Sequence, residues 1–184
     1  GTLDPFAEGI LIILFGKSTK RQNEMMALEK EYEAVIKLGA STSTLDPEGD
    51  ITEQLPIPDL NKDIIQNALK PFSGKIMQTP PMYSALKIKG KKLYELAREG
   101  KNIKVPPREV FIHSLDLLSF SRDSIVIRVC CEKGTYVRSL GHDIARQLGT
   151  TGYLTELTRT RIGPYTRKEA IDIERIPRWI STVA

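Results

Sequence analysis

The first chemically informative residue in the sequence is Asp4, within the segment Gly1-Thr2-Leu3-Asp4-Pro5. Pro5 has a fixed φ, and it restricts Asp4 to an extended conformation. Gly1 tolerates a tight backbone three residues earlier. A short carboxylate in a stiff segment suits a nucleophile or a general base, because both need accurate placement. Asp-Pro is also typical of ordinary turns, so the segment needs a second chemical group before a function can be inferred.

Arg138, in the distant segment Lys133-Gly134-Thr135-Tyr136-Val137-Arg138, is a candidate for that second group. Gly134 permits a sharp turn, and Thr135 is predicted to cap the helix that follows. Arg138 then lies in the first turn, where the helix dipole disfavours a cation unless an anion is close. Asp4 is a candidate partner, and an Asp–Arg pair would keep Asp4 ionised and oriented. The alternative is that Arg138 is a solvated surface residue.

Several common catalytic motifs are absent from the sequence. Gly16-Lys17-Ser18-Thr19 resembles the end of a phosphate-binding P-loop, but that motif needs a glycine where Leu11 stands. This argues against a nucleotide hydrolase. His113 and His142 are the two histidines of the chain, and neither belongs to a metal or triad pattern. A histidine-based triad or metal site is therefore not expected.

The composition is that of one globular domain. The chain has 184 residues, of which 40% are hydrophobic, and a formal net charge of +4 that permits a polyanionic partner. The longest apolar run, Ile10 to Phe15, is too short to cross a bilayer, and no signal peptide is evident. Cys130 and Cys131 are adjacent in an apolar pattern and indicate reduced core thiols, which favours the cytoplasm.

The hydrophobic pattern predicts an α+β fold with a mixed, mainly antiparallel sheet and flanking helices. The strands come in consecutive groups with few helices between them. Strands are predicted at 9–15, 32–38, 109–120, 124–131 and 153–162, and helices at 18–28, 61–70, 91–99 and 135–148. Residues 41–50 form a polar loop, and residues 74–90 form two short extended pieces around a proline pair.

Six motifs, taken together and in this order, resemble the TruB-type tRNA pseudouridine synthases. They are G-T-L-D-P at residue 1, K-E-Y ending at Tyr32, G-x-x-T-x-T-x-D-x-x-G from Gly39, P-P-M-Y-S-A-L-K from Pro80, K-G-T-Y-V-R-S-L from Lys133 and L-T-R-T-R-I-G-P from Leu157. The resemblance covers almost the whole chain. It implies the catalytic-domain fold of these isomerases.

The resemblance also implies roles for individual residues. Asp4 matches the catalytic aspartate, Arg138 the arginine that pairs with it, and Tyr32 the tyrosine that packs against the target base. Tyr136 and Leu157 match residues that line the uridine pocket. Asp46 matches a polar loop residue near the substrate.

The implied reaction detaches uridine at N1 and rejoins it to its ribose through C5, without a metal or cofactor. Asp4 would act as a nucleophile, or as a base on the ribose. The implied substrate is tRNA, at position 55 in the T-loop, with the target base flipped out of its stack. No obligate protein partner is implied. The residues predicted to contact the RNA backbone are Lys87, Lys89, Lys91, Lys92, Arg159 and Arg161. The alternative is a non-catalytic module that binds or folds RNA.

The chain also differs from the family pattern. Family members carry several dozen residues before G-T-L-D-P, including a first strand of the sheet, so we expect residues 1–184 to form a single catalytic domain that is N-terminally incomplete. About twenty residues follow Gly163, which is too few for the C-terminal PUA domain of many members, so we expect that domain to be absent.

Overall fold

The structure is a computed structural model that describes residues 2–84, 86–88, 90–98 and 105–176, with the backbone alone for residues 87, 88, 91, 92, 97 and 98. Its strands are β1 (Glu8–Gly9), β2 (Lys30–Leu38), β3 (Ala40–Thr42), β4 (Ile51–Gln54), β5 (Gly74–Gln78), β6 (Lys87–Ile88), β7 (Lys91–Lys92), β8 (Arg108–Phe120), β9 (Ser124–Cys131), β10 (Gly152–Ile162) and β11 (Tyr165–Thr166). Its α-helices are α1 (Gln22–Ala27), α2 (Lys62–Leu69), α3 (Leu93–Arg98) and α4 (Val137–Gln147). Short 3-10 helices lie at Gly16–Arg21, Lys70–Phe72, Arg167–Glu169 and Ile173–Arg175.

A single large sheet organises the chain. Its strand order is β1-β10-β2-β9-β8-β5, and β11 also pairs with β10. β1 runs parallel to β10, whereas the other pairs of this sheet are antiparallel. The small hairpins β3–β4 and β6–β7 lie outside it. The predicted α+β fold with a mixed, mainly antiparallel sheet is therefore confirmed.

The core lies between one face of this sheet and the helices α2 and α4. α4 packs against β2 and β10, and α2 packs against β8. Ile36, Leu140 and Leu154 are fully buried there, and each such side chain contributes about 1.5–3 kcal/mol to stability. Gly141 allows the close approach, because a Cβ at this position would lie 2.7 Å from Leu154 Cδ2. None of the helices among the described residues is long and apolar enough to cross a membrane.

The strand predicted at 9–15 is wrong. The strand is limited to Glu8–Gly9, and the chain leaves the sheet after residue 10. The physical reason is competition for one edge of β10. β1 pairs with residues 158–159 of β10, and β11 pairs with residues 161–162 along the same edge. The next hydrogen-bonding positions of that edge are therefore occupied, and β1 cannot extend.

Two predicted helix starts are also corrected. Residues 16–21 form a 3-10 helix that precedes α1, and its N-cap is Phe15, without a capping side chain. Thr135 does not cap α4, because its hydroxyl donates to the carbonyl of Glu132 and the N-cap position falls on Tyr136. By contrast, Asn61 caps α2 as predicted, accepting from the amide of Ile64 at 2.9 Å.

Candidate active site

Asp4 begins a tight turn at the edge of the core. The carbonyl of Asp4 accepts from the amide of Ala7 at 2.9 Å, with Pro5 at the position of the turn that favours a fixed φ. Phe6 and Ala7 pack against the buried cluster. The turn is thus anchored by apolar contacts, and it leaves the Asp4 side chain 35% exposed. This is a carboxylate held in place but open to a substrate.

Arg138 lies at the start of α4, and its side chain is only 4% exposed. Its Nη2 donates to Asp4 Oδ1 at 3.0 Å, and its Nε lies 2.9 Å from Asp4 Oδ2. The second contact is an ion pair without hydrogen-bond alignment. The contact predicted between residues 4 and 138 is present, and the alternative of a solvated arginine is excluded.

The same guanidinium binds a second carboxylate. Nη1 of Arg138 donates to Asp46 Oδ2 at 2.9 Å and to the carbonyl of Thr44 at 2.8 Å, and Nη2 donates to the carbonyl of Tyr83 at 2.8 Å. Asp46 is 2% exposed, and its Oδ1 accepts from the hydroxyl of Thr44 and the amide of Glu48. Asp46 is therefore fixed within the protein beside Arg138, which makes a direct contact with a substrate difficult.

The pKa of Asp4 is raised above its ordinary value. The main cause is burial, and the charge of Asp46 adds to it, whereas Arg138 acts in the opposite direction. We expected the arginine to dominate and to lower this pKa. It does not, because the desolvation of the Asp4 carboxylate outweighs the opposing effect of Arg138. The site thus holds a carboxylate that gains a proton more readily than an ordinary aspartate.

Tyr32 and Leu157 lie on neighbouring strands, on the face of the sheet that carries the core. Tyr32 packs against the buried cluster, and Leu157 on β10 is itself part of that cluster. The pKa of the Tyr32 hydroxyl is raised, mainly by burial. The nearby Cys131 and the charge of Asp4 add to this rise. The structure thus brings together two of the residues predicted to form the site.

Tyr136 occupies the N-cap position of α4, directly before the helix that carries Arg138. Its backbone is held on both sides by Gln78, whose amide nitrogen donates to the Tyr136 carbonyl at 3.0 Å and whose oxygen accepts from the Tyr136 amide at 2.8 Å. The Arg108 guanidinium carbon lies 5.0 Å from the centre of the Tyr136 ring. Sequence reasoning missed Gln78 and Arg108, because neither lies in a recognisable motif.

The predicted contacts with the RNA backbone need correction at Arg159. Arg159 is 2% exposed, so it cannot reach a phosphate at the surface. Arg161 is partly exposed, but it donates to Glu29 at 2.6 Å. Strict alternation along a strand would place both arginines on one face. A register shift between them in β10 instead places Arg159 opposite Tyr32 and Arg161 opposite Glu31, on opposite faces of the sheet.

The structure does not describe the side chains of the four lysines that are predicted to contact RNA. Lys89 lies outside the described residues. Lys87 lies on β6, and Lys91 and Lys92 form β7, but only their backbone is described. Their contact with RNA therefore stays a prediction. Among the described residues there is no group of three or more His, Cys, Asp or Glu side chains able to hold a metal ion.

Comparison with known proteins identifies a family and several relatives. A family model described as "TruB family pseudouridylate synthase (N terminal domain)" matches residues 1–137. The "tRNA pseudouridine synthase B" of Francisella philomiragia is 49% identical over 177 residues, which cover 96% of this chain and 59% of that protein. The protein of the same name from Francisella tularensis subsp. novicida is 48% identical over the same shares. The chain thus spans about three fifths of the length of these curated relatives.

Solved structures share the fold. The chain matches one in "Crystal Structure of a Cbf5-Nop10-Gar1 Complex" with 30% identity and a TM-score of 0.67, over 90% of this chain and 40% of the other. A second match, in "Structure of H/ACA RNP bound to a substrate RNA containing 2'-deoxyuridine", has 24% identity and a TM-score of 0.67, over 100% of this chain and 45% of the other. At that identity the second match shows the fold alone.

Proposed function

Since this chain belongs to the TruB family of pseudouridylate synthases, we propose that it isomerises uridine to pseudouridine in RNA. Its relatives named tRNA pseudouridine synthase B support tRNA as the substrate, and we propose the cytoplasm as the compartment. Within tRNA we propose the T-loop uridine at position 55. The observation that carries the proposal is the half-buried Asp4 carboxylate, held by the guanidinium of Arg138 at the edge of the core.

The reaction conserves atoms and electrons. The bond from N1 to C1′ of the ribose breaks, a bond from C5 to C1′ forms, C5 loses a proton and N1 gains one. The chain needs to hold the detached base, to place one carboxylate at the reacting ribose or ring, and to supply a base for the last proton. We assign the carboxylate to Asp4 and the last proton to the Tyr32 oxygen, which accepts it in its ionised form.

The target uridine must leave its stack to reach Asp4, because a base inside a helix is not accessible. We propose that the Tyr32 ring offers a surface for stacking and that Tyr136 and Leu157 line the uridine pocket, as the family resemblance implies. The opening of the site at Asp4 is the path by which the base would enter. The whole of residues 1–184 would act as one catalytic domain around this site.

Two roles for Asp4 fit this geometry. As a nucleophile it forms a covalent bond to the sugar or the base, and as a general base it takes a proton from the ribose. Arg138 serves both roles, since it orients the carboxylate and stabilises its charge. Deuterium at C2′ of the target ribose distinguishes them, because a primary isotope effect is expected only if that bond is broken.

RNA contact outside the pocket is assigned to the β6–β7 hairpin. Lys87, Lys89, Lys91 and Lys92 follow one another closely in the sequence, and an A-form stem is recognised through its shape and phosphates. Arg161 is a weaker candidate, because its guanidinium is engaged by Glu29. Arg159 is not a candidate, since it is buried.

The deciding experiment incubates the protein with a T-arm hairpin RNA and measures conversion of uridine to pseudouridine. Asp4→Asn should abolish conversion and preserve RNA binding. The matched control is Asp123→Asn, the same change at an exposed hairpin far from the site. Conversion by Asp4→Asn above about a tenth of the parent, a barrier change below about 1.4 kcal/mol, would reject the role of Asp4. Binding without any conversion by the parent would favour a non-catalytic RNA-binding module.

A further inference from the structure

Gln78 is a buried residue at the end of β5, and it has no part in the reaction described above. It is 1% exposed, so both polar groups of its side chain need partners within the protein. Both partners belong to Tyr136. Nε2 of Gln78 donates to the Tyr136 carbonyl at 3.0 Å, and Oε1 accepts from the Tyr136 amide at 2.8 Å. One planar side chain therefore holds the backbone of Tyr136 on both sides.

These two hydrogen bonds replace a helix cap. Tyr136 is the N-cap residue of α4, but its side chain is not one of the short polar groups that cap a helix. In a capping box the side chain at the third helical position would hold the N-cap amide. That position is Ser139, and its hydroxyl donates instead to the carbonyl of Thr79 at 2.8 Å. The start of α4 is therefore held by residues 78 and 79 of a distant strand end.

The cross-strand neighbour of Gln78 contacts the same residue. Arg108 on β8 lies directly opposite Gln78, so the two side chains project from the same face. Arg108 donates to the carbonyl of Gly134, and its guanidinium carbon lies 5.0 Å from the centre of the Tyr136 ring. The end of the β5–β8 pair thus holds the backbone of Tyr136 through Gln78 and packs against its ring through Arg108.

We propose that Gln78 is a positioning residue for the reaction: it fixes the backbone of Tyr136, and through it the direction of the Tyr136 ring, against the flipped uridine. The inference rests on the proposed function, in which Tyr136 lines the uridine pocket. An N-cap residue has non-helical dihedral angles, here a φ of −100° and a ψ of 109°, so the helix itself does not fix its conformation. Gln78 supplies that restraint before the substrate arrives.

The contacts of Arg138 separate this role from a general one in holding α4. Arg138 lies two residues after Tyr136, and its Nη2 donates to the carbonyl of Tyr83, which follows Gln78 along the chain. Its other acceptors belong to Asp4, Thr44 and Asp46, which lie on different segments. Loss of the Gln78 side chain therefore leaves every hydrogen-bond acceptor of Arg138 in place, and its direct effect falls on Tyr136.

The first test does not depend on activity. The six tyrosines of the chain are replaced by fluorotyrosine, and the fluorine NMR signal of Tyr136 is identified by its loss in Tyr136→Phe. We expect this signal to shift and broaden in Gln78→Met, because the ring leaves the Arg108 guanidinium and samples several orientations. It should not change in Gln147→Met, the same substitution at the exposed last residue of α4. A Tyr136 signal that is unchanged in Gln78→Met rejects the proposal.

The second test is kinetic. Gln78→Met should lower kcat on the T-arm hairpin about tenfold or more, within the range that a small misplacement in an active site costs. KM should stay near the parent value, because the grip on the stem depends on its shape and phosphates. In a Tyr136→Ala background the same change should cost nothing further, because both variants remove one function. Losses that multiply show that Gln78 acts elsewhere in the fold, and they overturn the proposal.

Ser139→Ala is the control for docking between the two segments. It removes the hydrogen bond to the Thr79 carbonyl and leaves both hydrogen bonds of Gln78 to Tyr136 intact. We expect it to lower stability in urea unfolding and to keep the kcat of the parent. Equal losses of kcat in Ser139→Ala and Gln78→Met would mean that docking in general matters, and they contradict a specific role for Gln78.

Gln78→Glu covers the case in which Gln78→Met does not fold. The new side chain keeps the shape and the acceptor for the Tyr136 amide, but it donates to the Tyr136 carbonyl only when it is protonated. The fluorine signal of Tyr136 should therefore differ from that of the parent where the carboxyl is ionised and approach it where the carboxyl is protonated. A signal equal to that of the parent across the whole titration contradicts the positioning role. If the parent itself converts no uridine, the proposed function fails, and the fluorine signals still decide whether Gln78 orients Tyr136.

Discussion

Replacing Arg138 with lysine should damage the protein although the charge is kept. The guanidinium donates to four acceptors, namely two carboxylates and two backbone carbonyls. These acceptors lie around a planar, forked group that is almost completely buried. A lysine ammonium has three donors on a single atom, so it cannot reach Asp4 and Asp46 with the same geometry.

The size of the effect follows from the contacts that a lysine cannot make. At least one hydrogen bond to a carboxylate is lost, worth about 1.5–3 kcal/mol, and at least one buried carbonyl is left unsatisfied, worth about 1–3 kcal/mol. Together these give a loss of about 2.5–6 kcal/mol. If half of this is expressed in the transition state, turnover should fall by roughly tenfold to a hundredfold.

Urea unfolding and single-turnover conversion of a T-arm hairpin measure the two parts of this loss. Arg146→Lys is the matched control, since Arg146 lies on the same helix and pairs with Glu53 at the surface. An exposed pair of this kind contributes about 1 kcal/mol or less. If Arg138→Lys resembles the control in stability and converts uridine at the parent rate, the shared guanidinium is not what orients Asp4.

The remaining predictions concern Asp4 and the β6–β7 hairpin. Because the pKa of Asp4 is raised, the Asp4 carboxyl binds a proton more tightly in the folded protein than in the unfolded chain. The contribution of Asp4 to stability therefore falls as pH rises from the ordinary aspartate pKa through the raised one. Asp4→Asn should remove that part of the pH dependence in thermal unfolding, and a variant that retains it would contradict the raised pKa. The conversion rate of the parent should fall on acidification at a pH above the ordinary range for an aspartate, since Asp4 must be ionised; an unchanged acid limb in pH–rate measurements would exclude this. Lys91→Ala and Lys92→Ala should each flatten the slope of log affinity against log salt by roughly 0.7 to 0.9, whereas Lys75→Ala, far along the sheet, should not; slopes equal to the parent would mean that these lysines do not touch phosphate.

Sequence patterns predicted the parts of the fold that depend on local periodicity. The strand predicted at 32–38 and the helix predicted at 135–148 are present as β2 and α4, because the buried residues of each follow the period of that element. The pairing of Asp4 with Arg138 was also predictable, because a cation at the start of a helix indicates a nearby anion.

The errors arose where the outcome depends on a distant strand. Strict alternation places Arg159 and Arg161 on one face, but a register shift in β10 separates them, and no local signal marks that shift. The strand predicted at 9–15 failed for a related reason, since β11 competes for the same edge of β10. The pKa of Asp4 was misjudged because the burial that raises it depends on contacts that form only in the folded chain.

The acceptors of Arg138 have a consequence for how the protein reaches its working state. They lie 134, 92, 94 and 55 positions away along the chain. Closing loops of this length is entropically costly and slow, so the guanidinium finds all its acceptors only when the fold is nearly complete. A nascent or partly unfolded molecule would therefore have the Asp4 carboxylate without its orientation. Catalytic competence would appear last during folding and be lost first on local opening, so activity serves as a sensitive report of an intact fold.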